Sequence, residues 1–200
     1  MSRPEKISDE AILAGARRCF LAHGPSVATG VIAQTLGVSQ GTLFNRFGNK
    51  QTLLIEALKP RLDADLMALL ADGPDARPIT EQLHEIGAAV EGHCAAHDPA
   101  VAMLRAAGLS RVDIFPAGAV SPMSQVRQNM TAWLTRAQSA GRVGQVSPAV
   151  VAELFLGALH RRPFDPPGDR LDRLEPVIAV LWKGLAPRSA DPLPVDGASS

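Results

Sequence analysis

The stretch from Thr29 to Lys50, TGVIAQTLGVSQGTLFNRFGNK, restricts the fold of this chain more than any other. Ile32, Ala33 and Leu36 recur at the helical period, so the stretch opens with a short helix that has one apolar face. Gly37 stands where a helix end favours a left-handed residue, and Ser39 follows as the N-cap of a second short helix. Leu43 and Phe47, at i and i+4, give that second helix an inward stripe. Gln40, Gly41, Thr42, Asn45 and Arg46 remain for its other sides. Such a front suits a DNA major groove. A Gln or Asn amide pairs bidentately with adenine, Arg pairs with guanine, and a Thr methyl touches a thymine methyl. Gly41 would let the backbone come close to the duplex. A helix-turn-helix presents its second helix in this way.

Ile32-Ala33, Gly37-Val38-Ser39, Gly41-Thr42-Leu43-Phe44, Phe47 and Lys50 fall in one register. On these residues the segment IAQTLGVSQGTLFNRFGNKQTLL resembles the helix-turn-helix of the TetR family of transcriptional regulators. The resemblance is specific up to about residue 60 and rests on helix layout beyond it. It implies an all-α protein: an N-terminal three-helix head, a connecting helix, and a helical bundle for effector binding and dimerisation. It implies that Gln40, Thr42 and Asn45 read bases, with Gly41 allowing close approach, and that Thr29, Phe44, Arg46 and Lys50 hold the DNA backbone. It further implies a homodimer on a palindromic double-stranded operator, released by a small-molecule effector, so that the regulator is a repressor. Two positions depart from the family. Phe44 stands where a Tyr is usual, and the chain contains no Tyr, so packing replaces a hydroxyl contact there. Gly30 stands where a polar or charged residue is common, and it weakens the helix start. The missing Tyr and the low net charge favour the alternative, a helical ligand-binding or interaction protein with a degenerate DNA-binding head.

Charge supports the basic head. Net charge is zero over the chain, but residues 1–50 carry Arg3, Lys6, Arg17, Arg18, Arg46 and Lys50 against Glu5, Asp9 and Glu10. A positive head on a mildly acidic remainder fits a sequence-specific DNA binder. Apolar residues make up 46% of the chain, ample for a buried core. No apolar run approaches the roughly 20 residues that span a membrane. The polar N-terminus has no signal-peptide apolar region, and Cys19 and Cys94 make no disulfide framework but sit in apolar helical patterns. A cytoplasmic protein without membrane association is expected.

Along the chain, Ser8 caps a first helix of roughly Asp9 to His23, with Ile12, Leu13, Ala16, Cys19 and Phe20 on its apolar face. Asn49 caps a helix from Lys50 towards Leu70, which Pro60 should kink or split. Lys50 is either a solvated charge near a positive helix end or a phosphate ligand. Helices are expected over 79–97, over 99–111 with Pro99 at the start, over 122–140, over 148–160 and over 171–185, with an irregular segment at 112–121 and a basic, proline-rich loop at 160–170. The expected domains are a helix-turn-helix head at 1–50, a connecting helix at 51–72, an effector and dimerisation domain at 73–186 and a disordered tail at 187–200. The last two helices carry wide apolar faces. Val151, Leu154, Phe155 and Ala158 on one, with Leu174, Ile178, Leu181 and Trp182 on the other, are either deep core or a subunit interface; the resemblance implies the interface.

Other chemistry has little support. His93 and His97 have the i, i+4 spacing of a two-histidine metal pair, but no acidic ligand accompanies them, so no metal is expected. No nucleophile elbow or glycine-rich phosphate loop is present, so neither an enzyme nor a cofactor is expected. Met67, His93, Met103, Arg105, Phe115, Met130 and Trp133 are candidates for an effector pocket, and each could equally be ordinary core.

Overall fold

A computed structural model describes residues 7–159 and 174–186. The described residues form ten helices and no strand: α1 (Asp9–His23), α2 (Thr29–Thr35), α3 (Gln40–Phe47), α4 (Lys50–Leu58), α5 (Ala64–Ala71), α6 (Ile79–Ala106), α7 (Arg111–Ile114), α8 (Pro122–Ser139), α9 (Pro148–Leu159) and α10 (Leu174–Leu185). The all-α expectation holds. The expected proline-rich loop at 160–170 and tail at 187–200 lie outside the described residues.

Local chemistry sets most helix ends. Ser8 Oγ accepts from Ala11 N at 3.1 Å, Ser39 Oγ from Thr42 N at 3.0 Å, and Asn49 Oδ1 from Thr52 N at 2.8 Å. Gly24, Gly37 and Gly48, all at positive φ, close the first three helices. Pro60 splits rather than kinks the fourth helix. Lys59, the residue before it, is extended at φ −55° and ψ 135°, the conformation that a following proline imposes. Asp63 then caps α5, accepting from Asp65 N and Leu66 N.

Pro99 behaves differently from expectation. It lies inside one continuous helix, α6, instead of opening a new one. A proline removes one helical hydrogen bond and crowds the preceding turn. Tertiary anchoring on both sides of it outweighs that cost: Ile79, Leu83, Ile86 and Val90 are buried before it, and Ala100 and Leu104 after it. Across the expected end of the helix over 99–111 and the start of the segment expected to be irregular, Ser110 and Asp113 form a capping box that supports the short α7. The Ser110 hydroxyl and amide hold the Asp113 carboxyl below its usual value. This cap is therefore present above the ordinary carboxylate range and is lost as pH falls through the lowered value.

The contacts divide the chain into two compact units. Unit 1 runs to Leu62 and adds Cys94–Pro122; unit 2 is Asp63–His93 with the residues from Met123 onward. The core of unit 1 joins Ile12, Ala16, Cys19 and Phe20 of α1 to Ile32, Leu43, Leu53 and Leu58, and includes Ala100 and Leu104 of α6 and Leu109. Both cysteines are buried and neither is in a disulfide. In unit 2, Val126, Met130, Trp133 and Leu134 of α8, Val151, Ala152 and Phe155 of α9, and Ile178 of α10 are buried.

A buried amide organises the turn before α6. Gln82 is 4% exposed; its Oε1 accepts from Asp75 N at 2.9 Å, and its Nε2 donates to Arg77 O at 2.7 Å. Gln82→Ala should leave these backbone groups unsatisfied and cost about 1–3 kcal/mol. Chemical denaturation would measure it, and a loss well below that range would mean that water replaces the amide.

Candidate nucleic-acid interface

The reading surface is built on α3. Leu43 is 1% exposed and fixes the inner side, with Phe47 partly buried against the same core. Gln40, Gly41, Phe44 and Asn45 face outward, an i, i+1, i+4, i+5 stripe. Phe44 is 42% exposed, a large aromatic ring in solvent that the core does not use. Gly41 is likewise not required by the fold. A Cβ there would meet nothing nearer than Ser39 Oγ at 3.7 Å, an ordinary contact. A helical glycine costs about 1 kcal/mol against alanine, so its presence has no internal compensation.

Thr42 is partly buried, and its Oγ1 shares a 2.9 Å hydrogen bond with Ser39 Oγ, within the cap of α3. Thr29 is the first residue of α2, and the N-cap is Ala28, which offers no side-chain bond. Thr29 is thus not an N-cap, and side chains leave the α2 N-terminus uncapped. Lys50 is the first residue of α4, beside the Asn49 cap, and forms no ion pair among the described residues. A lysine at the positive end of a helix, with no carboxylate, is electrostatically unfavourable in the free protein.

Arg46 is placed otherwise than expected. Its side chain is only 16% exposed, and Nη1 donates to Ile7 O at 2.6 Å and to Asp9 Oδ1 at 3.0 Å. The guanidinium braces the end of α3 against the start of α1, so it is not presented to a duplex. Arg46→Gln should cost about 1–2 kcal/mol, through the Ile7 carbonyl it leaves behind. Asp9 is 67% exposed, so that ion pair contributes little. Asp9→Asn should therefore be nearly silent in the same melt; equal losses for the two variants would overturn this division.

Gly30 has a role that its sequence did not reveal. A Cβ at this position would lie 2.7 Å from Gln40 Nε2, so the missing side chain makes room for the Gln40 amide. The weak helix start is accompanied by close approach of α2 to the first residue of the reading helix.

The effector-pocket candidates fall in both units. Met103, Arg105 and Phe115 belong to unit 1, and Met67, His93, Met130 and Trp133 to unit 2. Arg105 is exposed, while His93, Met130 and Trp133 are buried. Met67 Sδ accepts from Asn129 Nδ2 at 3.5 Å. Phe115 lines an open groove of about 680 Å³ with Ile55, Leu62, Ile114 and Val120. The expected interface residues also divide. Val151, Phe155 and Ile178 are buried within unit 2, whereas Leu154 and Ala158 face out and Leu174, Leu181 and Trp182 are half-buried. The large apolar side chains most exposed on α9 and α10 are Val150, Leu154 and Val180.

A trihelical N-terminal head with an outward polar stripe on its third helix, in an otherwise helical chain, has the layout of a helix-turn-helix. The family described as bacterial regulatory proteins, tetR family, matches residues 12–57, which contain α2, α3 and most of α1 and α4. The match is confined to the head, which is similar to the N-terminal domain of the TetR family of transcriptional regulators. Solved structures agree in fold. The TetR family protein CprB from S. coelicolor A3(2) is 22% identical, with 89% of each chain covered and a TM-score of 0.58. GusR of Salmonella enterica is 20% identical, covering 90% of this chain and 99% of that one, with a TM-score of 0.58. The TetR family regulator PfmR from Thermus thermophilus is 25% identical over 86% of this chain and 94% of that one, with a TM-score of 0.53. No curated protein sequence matches the chain. Among the described residues, no helix is long and apolar enough to cross a membrane.

Proposed function

We propose that this regulator is a homodimeric, cytoplasmic repressor that binds a palindromic operator and leaves it when a small-molecule effector binds. The carrying observation is the outward stripe of α3. Gln40 and Asn45 offer amides, Phe44 offers an aromatic face, and Gly41 offers a bare backbone, none of them used by the core. In this reading Gln40, Thr42 and Asn45 contact bases, with Thr42 limited to its methyl because its hydroxyl serves the cap. Thr29, Phe44 and Lys50 contact the backbone, and Arg46 drops out of the set. The head spans 1–50 and is followed by the connecting segment 51–72 and the effector and dimerisation region 73–186.

A second copy would cover Val150, Leu154, Ala158 and Val180, since these apolar side chains face solvent on the last two helices. Two heads related by a two-fold axis require a palindromic site. The 680 Å³ groove beside Phe115 has the size that a small effector needs, with a mixed lining of apolar side chains and the charged Glu56, Lys59, Arg61 and Asp113. The effector acts by binding one head spacing more tightly than the other.

Selection of bound duplexes from a random pool tests the reading. A palindromic consensus supports it, and failure to enrich any sequence sinks it. The second reading is then a helical ligand-binding protein with a degenerate head. Arg46, turned inward, and Phe44, lacking a hydroxyl, favour that alternative.

A further inference from the structure

Four groups from three separated segments meet at one cleft of about 330 Å³ in unit 1: Arg17 of α1, Lys59 and Arg61 of the segment after α4, and His97 of α6. None of them belongs to the surface proposed to meet DNA. Arg17 is half-buried and spends one donor, Nη2, on Ala96 O at 3.3 Å. Arginine carries five donors in a rigid fork, so most of this guanidinium is uncommitted. Arg61 fixes the wall through its backbone, its N–H donating to His97 Nε2 at 3.4 Å. Neither Arg17 nor Arg61 forms an ion pair among the described residues. Lys59 is offset by Glu56 at 2.7 Å, and Glu10 lines the cleft as an exposed carboxylate.

Arg17 and Arg61 form no ion pair, so with Lys59 held by Glu56 and one exposed carboxylate, Glu10, in the lining, the cleft keeps an excess of positive charge in the free protein. An oxyanion between the two guanidiniums offsets that excess and accepts charge-assisted hydrogen bonds from both forks. Lys59 can add its charge by turning from Glu56. We propose that this cleft binds the phosphate-type oxyanion of a small molecule, held chiefly by Arg17 and Arg61. Its occupant would join α1 to α6, because α1 is anchored in the core through Ile12 and Ala16 and α6 through Ala100 and Leu104. Lys59 and Arg61 also border the groove beside Phe115, whereas Arg17 and His97 line this cleft alone, and the proposal does not depend on DNA binding.

The test titrates inorganic phosphate into the full chain without DNA, at ionic strength held constant with chloride. Calorimetry should show one saturable site with a dissociation constant of about 1 mM or below. Arg17→Gln and Arg61→Gln should each weaken it about tenfold. Arg61→Lys should retain part of the affinity. Arg18→Gln removes the same charge from α1 but lies outside the cleft, and should leave binding unchanged. If Arg17→Gln fails to fold, the exposed Arg61 decides alone. Absence of saturation overturns the proposal, and so does an Arg18→Gln loss equal to that of Arg17→Gln, which would mean diffuse attraction. Displacement of phosphate by a stoichiometric random-sequence duplex also overturns it, assigning the cleft to the DNA backbone instead.

Discussion

Phe20→Ala should destabilise the head by about 3–5 kcal/mol, the range for truncating a fully buried aromatic. Phe20 is 0% exposed and packs in the one cluster that joins α1, α2, α3, α4 and the end of α6. Truncation leaves a cavity among Ile12, Leu43, Leu58 and Leu104, which are themselves at 0–1% exposure. A domain this size has about 5–15 kcal/mol in total, so the unfolded fraction becomes significant. DNA binding should then fall on warming although no contact residue has changed. Two spectroscopic probes separate the units. Both Trp residues, Trp133 and Trp182, lie in unit 2, and the chain has no Tyr. Helical circular dichroism should therefore show an early transition at lower denaturant, while Trp fluorescence changes later. Coincident transitions would show that the two units unfold as one.

The head was legible because its determinants are local. Gly37, Ser39, Leu43 and Asn49 act within a few residues of their own position, so periodicity and capping reveal them, and the split at Pro60 follows from the same kind of rule. What escaped reading depends on distance. Arg46 looks like a DNA contact from its place on α3, but its partner carbonyl, Ile7 O, lies 39 residues away in sequence. Gly30 reads as a weak helix start until Gln40 is placed over it. Pro99 reads as a helix start until burial on both sides is known. The apolar faces of α9 and α10 show the limit most clearly. Periodicity marks Val151 and Leu154 alike as apolar, but only coordinates show that Val151 is core and that Leu154 is 58% exposed. The Arg17–Arg61–His97 cleft had no signal at all, since its members sit on three separated segments.

Gln40→Ala and Lys50→Ala should fail in different ways on the selected operator. Gln40 stands at the start of α3, exposed, with its amide beside the bare backbone of Gly30. A bidentate amide–adenine pair gives about 1–3 kcal/mol of discrimination, so Gln40→Ala should relax preference at one position of each half-site while affinity for random DNA holds. Lys50 carries a charge without an internal carboxylate at the start of α4, so its contact would be electrostatic and blind to sequence. Lys50→Ala should weaken all duplexes alike and flatten the salt slope by about one per head. Mobility shifts at several salt concentrations, against operator and random duplexes, measure both effects at once. Gly30→Ala supplies an independent check, because its Cβ must displace the Gln40 amide. It should change base preference in the wild-type background and change nothing further once Gln40 is Ala. If Gln40→Ala instead lowers operator and random affinity equally, α3 is not the reading helix.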